Sequence, residues 1–144
     1  MRVKDILRTK GSRIITIDPE ATLKRAIFEL NAHKIGSLMV LDENGRPLGI
    51  ITERDILHEA VREPQEMTEL LVRDVMTKDL ICAVPDDSVE YVMGVMTRNK
   101  IRHLPIVENR QIAGLLSIGD VIKSLLEDVS TENKYLRDYI TQSI

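Results

Sequence analysis

Residues 49–56 read Gly-Ile-Ile-Thr-Glu-Arg-Asp-Ile, and residues 114–121 repeat the pattern 65 positions later as Gly-Leu-Leu-Ser-Ile-Gly-Asp-Val. Each copy places an apolar run before a hydroxyl residue, with an aspartate three positions further on. This order is typical of a buried strand that leads into a capped helix. A pattern that returns at a fixed distance indicates an internal repeat. The chain is therefore expected to contain two copies of one structural unit.

Three more blocks recur in the same order, and over all four blocks the offset drifts from 69 to 65 residues. They pair Val3-Lys-Asp-Ile-Leu7 with Val72-Arg-Asp-Val-Met76, Pro19-Glu-Ala-Thr-Leu23 with Pro85-Asp-Asp-Ser-Val89, and Ile35-Gly-Ser-Leu-Met-Val40 with Ile101-Arg-His-Leu-Pro-Ile106. We assign residues 1–62 to the first unit, 63–71 to a linker, 72–128 to the second unit and 129–144 to a C-terminal helical tail.

Each unit is predicted to fold as β-α-β-β-α. The first strand is expected at Ile14–Ile17 and again at Leu80–Val84, each shortly before a proline. Thr22 and Ser88 are candidate helix N-caps. Apolar residues at i, i+3, i+4 and i+7 predict one buried face per helix: Leu23, Ala26, Ile27 and Leu30 in the first copy, and Val89, Val92, Met93 and Met96 in the second.

The remaining elements follow in the same order in both units. Two strands joined by a turn are predicted at Ser37–Leu41 and Leu48–Thr52, then at His103–Val107 and Ile112–Ser117, and a closing helix begins near Glu53 and near Ile118. A unit of about 65 residues is marginally stable alone, so the two should pack about a pseudo-two-fold axis in an α/β (α+β) fold. Gly94 lies inside a predicted helix, and we expect a facing helix or a second subunit to approach it closely.

Composition narrows the functional classes. Aromatic residues make up 3% of the 144 residues, too few for a surface on which single-stranded nucleic acid stacks. Twenty basic and 23 acidic residues give a net charge of −3 with no basic stripe, which disfavours duplex nucleic acid as a partner. The apolar runs are too short to span a membrane and no signal peptide is recognisable, so we expect a soluble, cytoplasmic protein.

Few residues suggest catalysis or metal binding. The three histidines lie in separate segments, and the single cysteine, Cys82, excludes both an intrachain disulfide and a cysteine-based zinc site. Cys82 lies in an apolar stretch, where we expect a small core residue rather than a nucleophile. No catalytic constellation is found. The protein is therefore expected not to be an enzyme and to require no metal or cofactor.

Two features could bind an anionic ligand. Thr52 with Asp55, and Ser117 with Asp120, stand where a strand leads into a helix, so the hydroxyl could bind phosphate and the carboxylate could accept ribose hydroxyls. The alternative is that both pairs are capping boxes with a purely structural role. Arg102 and His103 begin a strand and could bind a phosphate, although a solvated loop after a helix would also favour basic residues.

The repeat order, together with Asn99-Lys-Ile-Arg-His-Leu-Pro-Ile-Val107 and the Gly-apolar-apolar-[Ser/Thr]-x-x-Asp motif, resembles a tandem pair of CBS domains, also called a Bateman module. The resemblance covers about residues 3 to 128. It implies two clefts that bind adenosine compounds: AMP, ADP or ATP, and in some members NAD or S-adenosylmethionine. It also implies a homodimer, for which the tail, with Leu136, Tyr139 and Ile140 on one side, would cover a subunit contact.

The family pattern, carried over position by position, gives two candidate sites. The first would contain Thr52, Arg54, Asp55, Ile81, Arg102 and His103. The second would contain Lys10, Ile15, Ile35, Gly36, Ser37, Ser117, Gly119 and Asp120. Asp55 and Asp120 would bind ribose, and Ile15 and Ile81 would contact adenine. The first site has more cationic side chains and is expected to prefer the more phosphorylated ligand.

The resulting hypothesis is a non-catalytic sensor that binds an adenine nucleotide and changes its contacts with an unidentified regulated protein. The alternative is a scaffold or interaction protein with empty or degenerate sites. A nucleic-acid-binding protein is disfavoured by the acidic balance of charge.

Overall fold

The computed structural model describes residues 1–11 and 13–143 and shows a mixture of helices and strands, which confirms the predicted α+β fold. The first half contains α1 Val3–Lys10, β1 Thr16–Ile17, α2 Leu23–His33, β2 Ser37–Leu41, β3 Pro47–Thr52 and α3 Glu53–Arg62. The second half contains α4 Val72–Val75, α5 Val89–Asn99, β4 His103–Glu108, β5 Gln111–Ser117 and α6 Ile118–Ser143. Ser12, and Ile144 at the end of the predicted tail, lie outside the described residues.

The first half has a three-stranded sheet in the order β1-β2-β3, with β1 parallel and β3 antiparallel to β2. The second half pairs β4 with β5 only. The strand predicted at Leu80–Val84 is wrong, because this segment makes only a single bridge between Ala83 and Ile106. In the first half the Met39 N–H donates to Ile15 O at 3.3 Å.

Proline explains the shorter pairing in the second half. Pro105 occupies the repeat position that corresponds to Met39, and proline has no N–H to donate to the neighbouring strand. Cys82 is also placed differently from the prediction. It is exposed, whereas its neighbour Ala83 is buried in the core, because successive residues of an extended segment face opposite sides.

The helices α2 and α5 form as predicted. The Thr22 hydroxyl accepts a hydrogen bond from the Arg25 N–H at 3.2 Å, and the Ser88 hydroxyl accepts one from the Tyr91 N–H at 3.1 Å, so both predicted N-caps are confirmed. Both helices end at a lysine with positive φ. Their buried faces lie in two separate cores, which contain Leu23, Ala26 and Leu30 in one case and Val89, Val92 and Met96 in the other.

Each core also contains a short helix from the opposite half of the chain. Val3 of α1 is fully buried in the second core, where its N–H donates to Asp87 O at 2.9 Å. Val72 of α4 is fully buried in the first core, and its N–H donates to Ala21 O at 2.8 Å. The linker contributes as well, because Met67 and Leu70 pack against the first core. The two units therefore exchange segments.

Two glycines allow the exchanged segments to approach the sheets. A Cβ on Gly49 would lie 2.7 Å from the backbone oxygen of Thr77, which follows α4. A Cβ on Gly114, the corresponding position of the second half, would lie 2.6 Å from Cδ2 of Leu7 in α1. Gly49 thus requires the absence of a side chain, because the backbone of Thr77 stands in its place, whereas a Cβ at Gly114 would require the side chain of Leu7 to shift.

Gly94 does not fit the expectation of a facing helix. Among the described residues, a Cβ at this position would meet only Nη1 of Arg98, at 3.7 Å, and Arg98 belongs to the same helix. In the described part of the chain, no other element comes within 4 Å of a Cβ at this position, although the nearby Val92 and Val95 are buried in the core. The alternative expectation, a second subunit at Gly94, stays a prediction.

Within the described residues, no helix combines the length and apolar character needed to cross a membrane.

We predict that Gly49→Ala lowers the free energy of unfolding by about 1–3 kcal/mol, the range typical of overpacked sites. Gly114→Ala should cost less, because a leucine side chain can rotate whereas the Thr77 backbone cannot. Gly94→Ala is the control and should stabilise the protein by up to about 1 kcal/mol, since alanine is the better helix former. Urea unfolding of the three variants measures this order, and an equal cost at positions 49 and 114 would contradict it.

Candidate functional site

A cleft of about 390 Å³ lies between the junction of β3 with α3 and the connection of α5 to β4. This volume is within the range of roughly 300–1,000 Å³ that is usual for small-molecule sites. The cleft draws on both halves of the chain, as expected from the resemblance. It is lined by Gly36, Ile50, Thr52, Glu53, Arg54, Asp55, Leu57, Thr77, Lys100, Ile101, Arg102 and His103.

Most residues predicted for the first site meet in this cleft. Thr52, Arg54, Asp55, Arg102 and His103 all line it. Ile81, the predicted adenine contact, is 37% exposed and does not line the cleft. Gly36, which was predicted for the second site, lines this cleft as well.

The turn into α3 is a capping box. The Thr52 hydroxyl accepts from the Asp55 N–H at 3.2 Å, while Oδ2 of Asp55 accepts from the Thr52 N–H at 2.9 Å. The capping box considered for this pair is therefore present, while its part in ligand binding stays a prediction. The other carboxylate oxygen of Asp55, Oδ1, accepts from the hydroxyl of Thr77 at 3.1 Å. Because Thr77 is exposed, its hydroxyl could be exchanged for a hydroxyl of a ligand.

Three cationic residues line the cleft: Arg54, Lys100 and Arg102. Nη1 of Arg54 donates to Lys100 O at 3.2 Å and joins the two halves across the opening. Lys100 was not predicted, although it lies inside the segment Asn99-Lys-Ile-Arg-His-Leu-Pro-Ile-Val107 on which the resemblance was based. Its left-handed backbone, with φ of 54°, ends α5 and turns the chain into β4.

Thr77 was also missed, and no sequence signal could have found it. It reaches the cleft only because its N–H and carbonyl pair with Ile50 at 2.8 and 3.0 Å, a contact that is not encoded by any local pattern.

His103 stands at the first position of β4, against the first half of the chain. A Cβ on Gly36 would lie 2.9 Å from Nε2 of His103, so the glycine makes room for the imidazole. Burial lowers the pKa of His103 below its ordinary value. Glu53 and Asp120 raise this pKa and Lys10 and Arg102 lower it, with burial the dominant effect, so the ring is neutral at pH 7.

The second predicted site contains an internal ion pair. Nζ of Lys10, in the exchanged helix α1, lies 2.5 Å from Oδ2 of Asp120 and donates to Leu115 O at 2.7 Å. Asp120 also closes a capping box with Ser117, since its Oδ2 accepts from the Ser117 N–H at 2.8 Å and its N–H donates to the Ser117 hydroxyl at 3.2 Å. The predicted ribose acceptor of this site is therefore already engaged by a cation of the same chain.

Burial alone would raise the pKa of Asp120, but the hydrogen bonds and charge of Lys10 and the N–H of Ser117 lower it below the ordinary value of an aspartate.

The other residues predicted for the second site are divided. Ile35, Gly36 and Ser117 line a neighbouring pocket of about 420 Å³, which Arg102 and His103 also line. Ser37 is 2% exposed and has little surface to offer a ligand. The residues predicted for this site that do not line the pocket are Lys10, Ile15, Ser37, Gly119 and Asp120.

Among residues 1–11 and 13–143, no group of three or more histidine, cysteine, aspartate or glutamate side chains is placed to hold a metal ion.

Comparison with known proteins agrees with this architecture. A family model described as "CBS domain" matches residues 3–62 and 72–127. The mitochondrial CBS domain-containing protein CBSX3 of Arabidopsis thaliana is 30% identical over 146 residues, which covers 96% of this chain and 71% of that protein.

Two solved structures are similar in both sequence and fold. The CBS-domain-containing protein ATU1752 from Agrobacterium tumefaciens has a TM-score of 0.84 and 36% identity, over 86% of this chain and 98% of that one. The CBS domain pair of protein MJ0100, solved in complex with 5′-methylthioadenosine and S-adenosyl-L-methionine, has a TM-score of 0.77 and 27% identity, over 89% of this chain and 98% of that one.

We predict that Lys10→Met raises the pKa of Asp120, because the substitution removes a hydrogen bond and a positive charge from the carboxylate. In the wild type, the stability that Asp120 contributes is complete above pH 3.8 and is lost as the pH falls from there through the lowered pKa. The variant should therefore lose less stability in acid. Carboxyl-carbon NMR titration measures the shift.

Asp86 is the internal control for this titration. Its pKa is lowered by Lys4, not Lys10, so it should be the same in both proteins. An unchanged pKa of Asp120 in the variant would show that Lys10 does not hold the carboxylate in solution.

Proposed function

Because the chain belongs to the CBS-domain family, and is a pair of CBS domains of the kind that acts as a regulatory module, we propose that its first cleft binds an adenosine nucleotide: AMP, ADP or ATP. The observation that carries the proposal is the joining of Arg54, Lys100 and Arg102 with Asp55 in one cleft built by both halves. Cations and a carboxylate side by side match a ligand that carries both phosphate and ribose hydroxyls.

Each group has a distinct part in this proposal. Asp55 accepts the ribose hydroxyls through Oδ1, the oxygen that Thr77 occupies in the free protein. Arg54 and Arg102 bind phosphate oxygens, Lys100 adds a third charge at the opening, and the apolar side chains of Ile50 and Ile101 contact the adenine in place of the predicted Ile81. Three cations favour ligands with more phosphate groups.

The bound adenosine compounds of the MJ0100 domain pair support this ligand class. That protein shares 27% identity with this chain. The preference for ligands with more phosphate groups is therefore proposed from the cations of the cleft and not from the relative.

We further propose that the first cleft fills before the second. Lys10 neutralises Asp120, and a ligand that used Asp120 would first have to displace this ammonium group. The same observation favours the other candidate function, a scaffold or interaction protein with degenerate sites, in which Lys10 stabilises the fold permanently. Ligand titration separates the two functions.

The consequences for the cell remain predictions: a non-catalytic sensor in the cytoplasm that forms a homodimer and reports nucleotide levels to a regulated protein.

Thermal melts with AMP, ADP, ATP, NAD and S-adenosylmethionine test the proposed ligand class. A ligand at 100 times its dissociation constant stabilises the native state by about 2.7 kcal/mol, which raises the melting temperature of a chain this long by several degrees. We expect the largest rise with ATP or ADP. Asp55→Ala should abolish most of the rise relative to its own unliganded melt.

Asp120→Ala is a matched control, because it removes the equivalent capping carboxylate of the other half and leaves the first cleft intact. Each alanine variant should lose about 0.5–2 kcal/mol of stability as a lost cap, but only Asp55→Ala should lose the ligand response. If no ligand shifts the wild-type melt, the scaffold function is the correct one.

The affinity of the nucleotide should also depend on pH through His103. A phosphate beside the imidazole favours the charged ring, so the pKa of His103 is higher in the complex than in the free protein, where burial lowers it. Binding then takes up a proton, and affinity should rise as the pH falls from 7.5 to about 5.5. Calorimetric titrations across this range measure the effect.

His103→Gln provides the comparison, since it retains a polar side chain but cannot take up the proton. The ligand's own phosphate titrates in the same way with both proteins. The difference between their affinity–pH profiles is therefore caused by His103. Parallel profiles would exclude phosphate contact at this residue.

A further inference from the structure

The C-terminal part of α6 projects an apolar stripe that nothing in the described chain covers. Residues 118–143 form one continuous helix, of which only the first part packs against the second core through Ile118, Val121 and Leu125. Beyond Leu125 every residue of the helix whose side chain is described is exposed, except the half-buried Asp128. In proteins, most of the stability of a helix comes from the packing of its apolar face rather than from helix propensity.

The stripe has the spacing of a coiled coil. Its members are separated alternately by four and three residues over three heptads, and the apolar ones are 44–63% exposed. With Leu126 at an a position, they are Ile122, Leu126, Val129, Asn133, Leu136 and Ile140, in the order d, a, d, a, d, a. A seven-residue repeat suits a left-handed pair of helices, because 3.5 residues per turn keep the stripe on the partner.

Asn133, the polar member of the stripe, indicates which partner covers it. Asn133 stands at a central a position, and an asparagine there favours two parallel strands in register, since each amide can pair with its equivalent on the second helix. In an antiparallel pair, a faces d, so Asn133 would face Leu136 and its amide would be buried without a partner. A second copy of this chain, running in the same direction, satisfies the amide.

The charges beside the stripe agree with this choice. Glu132 is at a g position and Arg137 at the e position five residues later, which is the spacing that places the two side chains of opposite copies together in a parallel pair. Neither side chain makes an ion pair with another described residue of its own chain. Two such pairs would form, one on each side of the seam. The antiparallel arrangement offers neither.

We propose that residues 122–140 of α6 form a parallel, two-stranded coiled coil with the same segment of a second copy of the chain, with Asn133 opposite Asn133. The assembly holds two CBS-domain pairs side by side at one end of the coil. It does not depend on the proposed nucleotide site, because the stripe and the cleft share no residue.

Analytical ultracentrifugation of the full chain tests the assembly. The wild type should sediment as a dimer at micromolar concentration, and Leu136→Glu should raise the dissociation constant about tenfold or more, because a carboxylate buried in the seam has no partner. Tyr135→Glu is the matched control. It introduces the same charge one residue away, on the outer face where Tyr135 is 70% exposed, and should dimerise as the wild type does.

A charge exchange tests the pairing of Glu132 with Arg137. Glu132→Arg and Arg137→Glu should each weaken the dimer, and the double variant should recover the wild-type dissociation constant. Circular dichroism should show that all these variants remain folded, since the altered side chains are exposed in the monomer.

Disulfide trapping tests the direction and register. In a Cys82→Ser background, Asn133→Cys should form a disulfide-linked dimer on mild oxidation, because equivalent a positions of a parallel pair lie at the separation that a disulfide spans. Thr131→Cys, on the outer face, should not. A monomeric wild type, a Leu136→Glu variant as dimeric as the Tyr135→Glu control, or equal trapping at both cysteine positions would each overturn the proposal.

Discussion

The fold depends on the mutual exchange of two short helices. Val3 and Val72 are fully buried in the core of the opposite half, and the backbone hydrogen bonds of the residues beside them join α1 to the loop before α5 and α4 to the loop before α2. The interface between the halves is therefore part of both cores, and not a surface between finished domains. The cleft follows from this arrangement, because its walls come from the β3–α3 junction and the α5–β4 connection, which the exchange holds together.

Much of the architecture could be predicted from local patterns. The periodicity of α2 and α5 and their capping residues Thr22 and Ser88 depend on neighbours within a few positions, and both were recovered. The gathering of Arg102 and His103 with Thr52 and Asp55 followed from the resemblance, since no local rule relates residues some fifty positions apart. Pro105 was visible in the sequence. Its effect on strand pairing could not be predicted, because it depends on which neighbouring strand would otherwise accept a hydrogen bond from the N–H at this position.

The features that escaped prediction are long-range contacts. The resemblance placed Lys10 and Asp120 in one site, but their ion pair was not predicted, because it depends on α1 crossing to the other half. Thr77 reaches the cleft only because its backbone pairs with Ile50. At Gly94 the facing helix that was expected is absent among the described residues, whereas the alternative expectation, a second subunit, stays a prediction. Chemistry-bearing residue types can be recognised along a chain, whereas which of them neutralise each other depends on the packing.

The exchanged helices have a consequence for how such a protein can exist at low concentration. A single unit could complete its core only by taking the first helix of another molecule, so its folded fraction would fall on dilution. Joining two units in one chain turns that encounter into an intramolecular step with an effective concentration set by the short linker at 63–71. The repeat thus makes the folded state of the globule independent of the abundance of the protein. Concentration then governs only whether two such globules meet.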